Sequence, residues 1–590
     1  MHPMHFDYDA LFSDGEQGVC PQAPAISLNE MLDDLNLSFP SARQSAERLS
    51  RSDPSLKPLL LMAHQDVVPV ENSTWNEWAF PPFSGHIDLE HQGIWGRGAV
   101  DCKQFLIGIL SAVETLAHSQ FRPKRTVLLS FGFNEEVGGD QGAAHLSRFL
   151  EERYGHNSVA LILDEGITQH ASNDYKLGWP LGFNEEVGGD QGAAHLSRFL
   201  EERYGHNSVA LILDEGTPIM SADFPASFGM PLAAVAVTEK GSLNMHLTIT
   251  SSGGHSSMPP PHTSVGILSK IITTLEENPF QASIEDASSS AVRHFQCIRD
   301  ATKMPLRLRK ALQQLEWAER TTPSHAHLAS QLPVLRRWYN FLLSDTLRAR
   351  RIAKARAQVL AILSPEGRSF FQTTQAADVF HGGIKVNALP ERGEAYVNHR
   401  IATHSSIKET IEHYVILLKP MADKYRFALT VFGDEVVPKT NTTFAHVSLT
   451  DSSFTIDTKP ASPFEVPESE AFQLLFSMIR ATYYVDEDPR VLRGSLDPDT
   501  QEHPQTPKQP VRVASTTLTA NTDTAWFHNL TRNIMHFGPQ SLHPDLTGLQ
   551  VLKHLHTINE HATIDALVKG VEFYTHLIVA MDQALIERHA

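Results

Sequence analysis

The chain has 590 residues, 41% of them apolar, and a formal net charge of −19. That length exceeds what one hydrophobic core usually serves, so two domains are expected, and the apolar content is ordinary for a soluble globular protein. The charge argues against nucleic-acid or anionic-membrane partners, because no basic cluster is large enough to offset it locally.

The N-terminal MHPMHFDYDALFSDGEQGVCPQ lacks a basic stretch followed by an apolar one, and the chain has no long uninterrupted apolar run. No signal peptide or spanning helix is therefore expected, and the cellular address stays open. Residues 1–51 read as a shortened, partly disordered segment. Cys20, Cys102 and Cys297 offer neither a CxxC pair nor a disulfide framework.

The first strand is KPLLLMAHQDVVPV (57–70), an apolar run ending in polar residues, as a buried parallel strand with functional groups at its carboxyl end would be. WGRGAVDCKQFLIGILSAVETLAHS (95–119) opens on glycines and continues with helical spacing, and RTVLLSFGF (125–133) is the next strand. GAAHLSRFLEERYG (142–155) reads as a helix and SVALILDEG (158–166) as a strand. Strands alternating with helices predict an α/β fold with a mostly parallel sheet, and the acidic and histidine residues fall just after the strands, where such sheets place their sites.

Residues 132–166 recur without one substitution as 182–216. An identical pair is no solenoid, which needs at least three diverged units. It reads as a recent duplication or a gene-model fault inside one catalytic domain. Removing either copy with ITQHASNDYKLGWPL (167–181) leaves a continuous strand and helix pattern. The first NEE follows RTVLLSF, a convincing strand, whereas the second follows NDYKLGWPL, a poor one. Glu185 and Glu186 are thus expected on a solvated extrusion. The two DEG strands are expected to compete for one slot in the sheet, with Asp164 favoured over Asp214.

From 237 the pattern changes, and 237–437 reads as an inserted α+β lid or dimerisation domain between two parts of the catalytic domain, 52–236 and 438–590. Within it the basic stretch from 306 to 358 is expected to be a solvated helical face. Residues 486–517, rich in Pro and Thr, read as a surface loop.

A divalent metal needs several carboxylates and imidazoles converging, and two metals need a bridging carboxylate. The ends of successive strands supply His64 and Asp66 in AHQD, Asp101 in GRGAVD, Glu135 and Glu136 in NEE, and Asp164 or Asp214 in LDEG; His556 stands in HTINE. Asp66, two residues after His64 on the same face of a strand, suits the carboxylate that fixes a ligating imidazole's tautomer.

These residues, with PPFSGHIDLEHQGIWGRGAVDCK, TEKG, SSGGHSSMPP, KVNALPERGEAYVNHRI and NTDTAWFHNLTRNIMHFGP, resemble the dinuclear zinc exopeptidase and amidohydrolase family, closest to its carboxypeptidase S branch. The resemblance runs from about 52 to 586. It implies two zinc ions, with His64 and His556 as terminal ligands, Asp101 as bridge, and Glu136 and Asp164 or Asp214 completing the set. It also implies Asp66 as the orienting carboxylate, Glu135 as the general base and His255 as an oxyanion stabiliser at a dimer contact or domain cleft. Asn387 and Arg400 would bind the substrate's free carboxylate. The implied activity is hydrolysis of a peptide bond beside a free-carboxylate amino acid. Open alternatives are an N-acyl amino acid hydrolase and a non-catalytic paralogue or mis-spliced product. The family suggests a vacuolar or secretory address and a homodimer through the inserted domain. Relatives usually begin with a membrane anchor and a longer segment before AHQD, so the first helix and one or two strands are expected to be missing or replaced.

Overall fold

The computed structural model describes residues 53, 56–100, 103–132, 161–163, 209–214, 216–217, 219–220, 227–285, 289–320, 345–452, 455–465, 469–485, 509–539 and 557–583. The chain first lays down β1 (Leu59–His64), α1 (Lys103–His118), β2 (Val127–Gly132), β3 (Leu161–Leu163), β4 (Leu211–Asp214) and β5 (Leu232–Glu239). One residue later it enters β6 (Gly241–Ser251), then β7 (Gly254–His255), α2 (Ser264–Glu277), α3 (Ser290–Cys297), α4 (Leu306–Arg320) and α5 (Asp345–Ile362). Next come β8 (Thr374–Gly382), β9 (Ala388–Leu389), β10 (Arg392–Ile401), α6 (Ile407–Tyr425), β11 (Phe427–Val431), β12 (Asp434–Val437) and β13 (Ala445–Asp451). The last elements are α7 (Glu470–Thr482), β14 (Arg512–Leu518), β15 (Ile534–His536) and α8 (Ile564–Gln583).

Seven strands form the first sheet in the order β14-β5-β15-β4-β3-β1-β2. The run from β2 to β15 is parallel throughout, as the alternation of strands and helices predicts. β14 pairs parallel to β5, and β15 meets β5 through an antiparallel bridge at His536 and Ala236. Both faces are covered, so β5 reads LAAVAVTE and is buried along its whole length. On one face Phe105, Ile109, Ala112 and Leu116 of α1 meet Phe573, Leu577 and Met581 of α8 in a single apolar cluster with the strands. Those α1 positions recur at three- and four-residue steps, which is what places them on one helical stripe.

The second sheet runs β8-β10-β6-β13-β11-β12. Along β10 every second residue is buried, from Gly393 through Ala395, Val397 and His399 to Ile401, because only one of its faces packs on α2 and α6. Helices α3, α4 and α5 depart from the expected division at 237–437. Phe295, Leu308 and Val359 bury instead with Leu232 and Ala234 of β5 and Ala514 of β14, on the first sheet.

Three further expectations are corrected. Residues 512–518, of which all but Leu518 fall in the stretch read as a loop, form β14, whose VASTTL run is buried against β5; the flanking Pro and Thr masked a β-branched strand. The two copies of LIL do not compete for one slot: β3 and β4 lie side by side, paired Leu161 to Leu211, Ile162 to Ile212 and Leu163 to Leu213. A sheet accepts an extra strand wherever both neighbours offer free ladder groups, and identical sequences offer the same pattern. Cys297 is disulfide-bonded. No helix among the described residues is long and apolar enough to cross a membrane.

Four histidines are held near pKa 4 by desolvation: the buried His294, His399 and His576, and the half-buried His528. His294 sits between Phe295 and Phe370, and neither ring nitrogen has a hydrogen-bond partner among the described residues. An unfolded histidine takes its proton near pH 6.5, whereas these take one only near pH 4, so between those values the unfolded chain holds more protons. Native stability therefore falls as the pH drops from about 6.5 towards about 4. His294→Leu should flatten that decline in denaturant titrations; an unchanged pH slope would remove His294 from the account.

Candidate active site

The sequence-predicted ligands divide into those the structure describes and those whose neighbours it describes. Asp101, Glu135, Glu136, Asp164 and His556 lie outside the described residues, as do Glu185 and Glu186. His64 is the last residue of β1, opposite Gly132 of β2, three residues before Glu135. Gln65 donates from Nε2 to the carbonyl of Phe131 at 3.2 Å. Lys103, two residues after Asp101, donates from Nζ to the carbonyl of Gln65. Residues within a few positions of His64, Asp101 and Glu135 are thus bonded to one another. Asp164 follows directly on β3, which pairs with β1. Asp66 is half-buried just beyond β1.

The fifth segment joins through Glu560, four residues after His556. Its carboxylate is fully buried and accepts from Gly98 N at 2.9 Å, Val100 N at 3.1 Å and the Arg97 guanidinium at 2.8 Å. Its carbonyl accepts from Gly96 N at 2.9 Å. The GRGAVD loop is therefore moulded on HTINE by a single carboxylate. Reading the sequence for ligands passed over Glu560 and Arg97, although the spacing of Glu560 from His556 inside HTINE was a visible signal.

Asp214, the last residue of β4, is 1% exposed, and its Oδ2 lies 3.3 Å from His536 Nδ1 and accepts from Thr524 Oγ1 at 3.2 Å. Its Oδ1 is buried with no hydrogen-bond partner among the described residues, a costly arrangement for a carboxylate oxygen unless something else reaches it. Gly216 of the same DEG is needed for close approach: a Cβ there would lie 2.3 Å from the His536 carbonyl carbon. From Thr524 the bonding continues to Thr522 Oγ1 at 2.7 Å, and Thr522 N donates to Glu239 at 2.8 Å. Burial raises the Glu239 carboxyl to about 7, against the opposing pull of His536.

Arg400 closes this chain of contacts. It leaves β10 at the foot of the second sheet and donates to Asn521 Oδ1, while Asn521 Nδ2 donates to the carbonyl of Lys240. Lys240, buried and lowered to about 7 by desolvation, gives its ammonium to the Gln372 carbonyl at 2.7 Å. The residue joining the two sheets is thus tied down at both its main chain and its side chain. Glu239 and Lys240 stand in TEKG and Asn521 and Thr522 in NTDTAWFHN, motifs whose spacing alone assigns them no role.

His255 and Asn387 are elsewhere. Both are exposed at the two-residue ladder β7-β9, His255 in β7 opposite Ala388 and Asn387 in the turn just before β9, where Ser256 N donates to the Asn387 carbonyl at 3.2 Å. His255 Nδ1 and Ser257 Oγ are 2.7 Å apart. β10 pairs Arg392 with Thr250 at that end and Arg400 with Ser242 at the other. Eight residues of strand make roughly 27 Å at ~3.4 Å each. The structure brings His255 to Asn387 and separates both from Arg400. Among the described residues no group of three or more His, Cys, Asp or Glu comes together tightly enough to hold a metal.

The family model described as Peptidase family M20/M25/M40 matches residues 60–497. The chain is 31% identical to Carboxypeptidase S of Saccharomyces cerevisiae over 90% of its own length and 73% of that protein. It is 28% identical to Probable carboxypeptidase S-like 2 of Dictyostelium discoideum over 89% and 72%, and 27% identical to N-fatty-acyl-amino acid synthase/hydrolase PM20D1 of Homo sapiens over 90% and 75%. An M20 family metallo-carboxypeptidase structure from Sulfolobus solfataricus aligns at TM-score 0.43 with 14% identity, over 90% of this chain and 86% of that one.

Glu560→Ala would leave the Arg97 guanidinium buried beside two loop N–H groups that have lost their acceptor. Removing one partner of a buried pair costs about 3–5 kcal/mol. Chemical denaturation of the purified variant should show a loss of that order, and a loss under about 1 kcal/mol, the worth of a surface pair, would mean that Glu560 does not hold the loop.

Proposed function

This chain is a member of peptidase family M20/M25/M40, and from that membership and the layout of its strand ends we propose that it is a dinuclear zinc carboxypeptidase acting on short peptides. Its family makes it a metal-dependent peptidase or amidohydrolase, with peptides or N-acyl amino acids as substrates. The single observation that carries the reading is the mutual bonding of the segments that bear the candidate ligands: β1 to β2 and β3, Lys103 to Gln65, and Glu560 to the GRGAVD loop.

His64, Asp101, Glu136, Asp164 and His556 would hold the metals, a donor set of two imidazoles and three carboxylates that fits zinc. Asp164 is preferred to Asp214 because its strand borders the one carrying His64, whereas Asp214 faces His536 and Thr524. Bound metal supplies polarisation of the scissile carbonyl and acidification of water. The chain's own residues do the rest. Asp66 fixes the His64 tautomer. Glu135 removes the proton from the attacking water and returns it to the leaving amine. Arg400, half-buried at the end of its strand, takes the substrate's free carboxylate, whose two oxygens match a planar guanidinium.

His255 and Asn387 reach a site only from a second copy on this reading, since they stand about 27 Å along the sheet from Arg400 at strand spacing. The wholly exposed Ile384 and Val386 beside Asn387 are apolar surface of the kind a partner covers. A homodimer through the second sheet follows from this. An N-acyl amino acid hydrolase remains the second reading, favoured by the PM20D1 likeness; it shares every residue named here and differs only in what lies on the acyl side.

Dialysis against a strong chelator should abolish hydrolysis of an N-blocked dipeptide, and zinc should restore it. Glu135→Gln should lose rate by about 10²–10⁴-fold while keeping its zinc; loss of zinc in Glu135→Gln but not in Glu136→Gln would exchange the two roles. For the shared site, His255→Ala and Arg400→Ala chains, each inactive alone, should on mixing recover about a quarter of native activity, since half the dimers are mixed and each holds one intact site. Mixtures as inactive as either parent would place His255 outside the catalytic site.

A further inference from the structure

We infer that the internal duplication has widened the catalytic sheet by one strand, so that the chain releases a carboxyl-terminal dipeptide in preference to a single amino acid. The inference rests on the proposed roles of His64 and Arg400 and concerns the distance between them.

The two LIL segments are identical in sequence and adjacent in the sheet, in register with each other. One of them borders β1 and the other borders β15. In a chain with a single copy one strand would have both neighbours, because residues 161–166 offer β15 the same groups as residues 211–216 do. The duplication has divided one strand's two duties between two strands. The segments carrying His64 and Glu135, with Lys103 of α1, are bound to β1 and β2 on one side. Arg400 is bound to the other side, through Asn521 and the run Glu239, Thr522, Thr524, Asp214 that ends on β4. β3 stands between them.

Neighbouring strands lie about 4.7–4.9 Å apart. An extended peptide advances about 3.3–3.6 Å per residue, so one strand's widening lies between the advance of one residue and that of two, and one added residue comes nearer to it than none or two. With its terminal carboxylate on Arg400, a peptide then presents its second amide from the carboxyl end to the metal side. Hydrolysis there joins the water oxygen to the carbonyl carbon, breaks the C–N bond and transfers a proton to the departing nitrogen. The products are a blocked carboxylic acid and a free dipeptide. The same spacing in an acylated substrate selects an N-acyl dipeptide, so the inference holds whichever acyl group the pocket accepts.

An N-blocked tripeptide with a free carboxyl terminus, incubated with the zinc-loaded full chain and resolved by mass spectrometry, separates the two cuts. Dipeptide release should exceed amino-acid release by at least about tenfold in kcat/KM, the low end of what one misfitted group commonly costs. Deleting residues 167–216 should reverse that order. Preferred release of the single amino acid by the full chain, or the same product ratio in a folded deletion variant, overturns this inference alone. Absence of both products overturns the proposed function with it. If circular dichroism shows the deletion variant unfolded, the full chain's product ratio decides by itself.

Discussion

A single buried carboxylate ties the two ends of the catalytic domain together. Glu560 is separated from Gly98 by more than 460 residues of chain, yet it takes two backbone N–H groups of the GRGAVD loop and the guanidinium of Arg97. A carboxylate so far from water is tolerable only with its lone pairs filled. The bonds that satisfy it also fix the loop that leads to Asp101 and the segment that follows His556. The remaining contacts of that side, Gln65 to Phe131 and Lys103 to Gln65, bring the end of β1 and the approach to Glu135 to the same place.

The other half of the domain is organised by a second polar run, and its physics differs. Glu239 and Lys240 are consecutive, buried, and displaced in opposite directions to about 7 by loss of water. They occupy the step where the chain passes from the first sheet to the second, so desolvation acts where the two bodies meet. Asn521 uses both ends of its amide there, accepting from Arg400 and donating to the Lys240 carbonyl. The position of Arg400 is in this way set from the first sheet, although Arg400 belongs to a strand of the second.

Between those halves lies the duplicated strand. A parallel sheet is built from a local ladder, each strand answering only to its two neighbours. Nothing in such a ladder rejects a second copy of a strand that already fits, and the cost falls on whatever spans the ladder. Here that is the gap between the segment ending in His64 and Arg400. The expectation that the two DEG strands compete for one position fails for the same reason, because the sheet has room for both.

The sequence by itself determined the α/β class, the parallel run of strands and the residue types at their carboxyl ends. Those properties are local: continuous apolar runs make doubly covered strands, and polar residues after them can only sit at an edge. It also made visible the His64, Asp101, Glu135, Glu136 and His556 motifs, because ligand chemistry demands particular residues at short spacing. Tertiary structure alone decided the rest. The strand 512–518 emerged from a stretch that looked like a loop because β5 offered it a partner. Helices α3 to α5 went to the first sheet because Leu232, Ala234 and Ala514 gave them an apolar face. Glu560 and Asn521 acquired their places through contacts across hundreds of residues, and Arg400 was parted from His255 and Asn387 by the length of β10. Long-range pairing depends on which surfaces remain uncovered once every local element has formed, and no window of sequence contains that information.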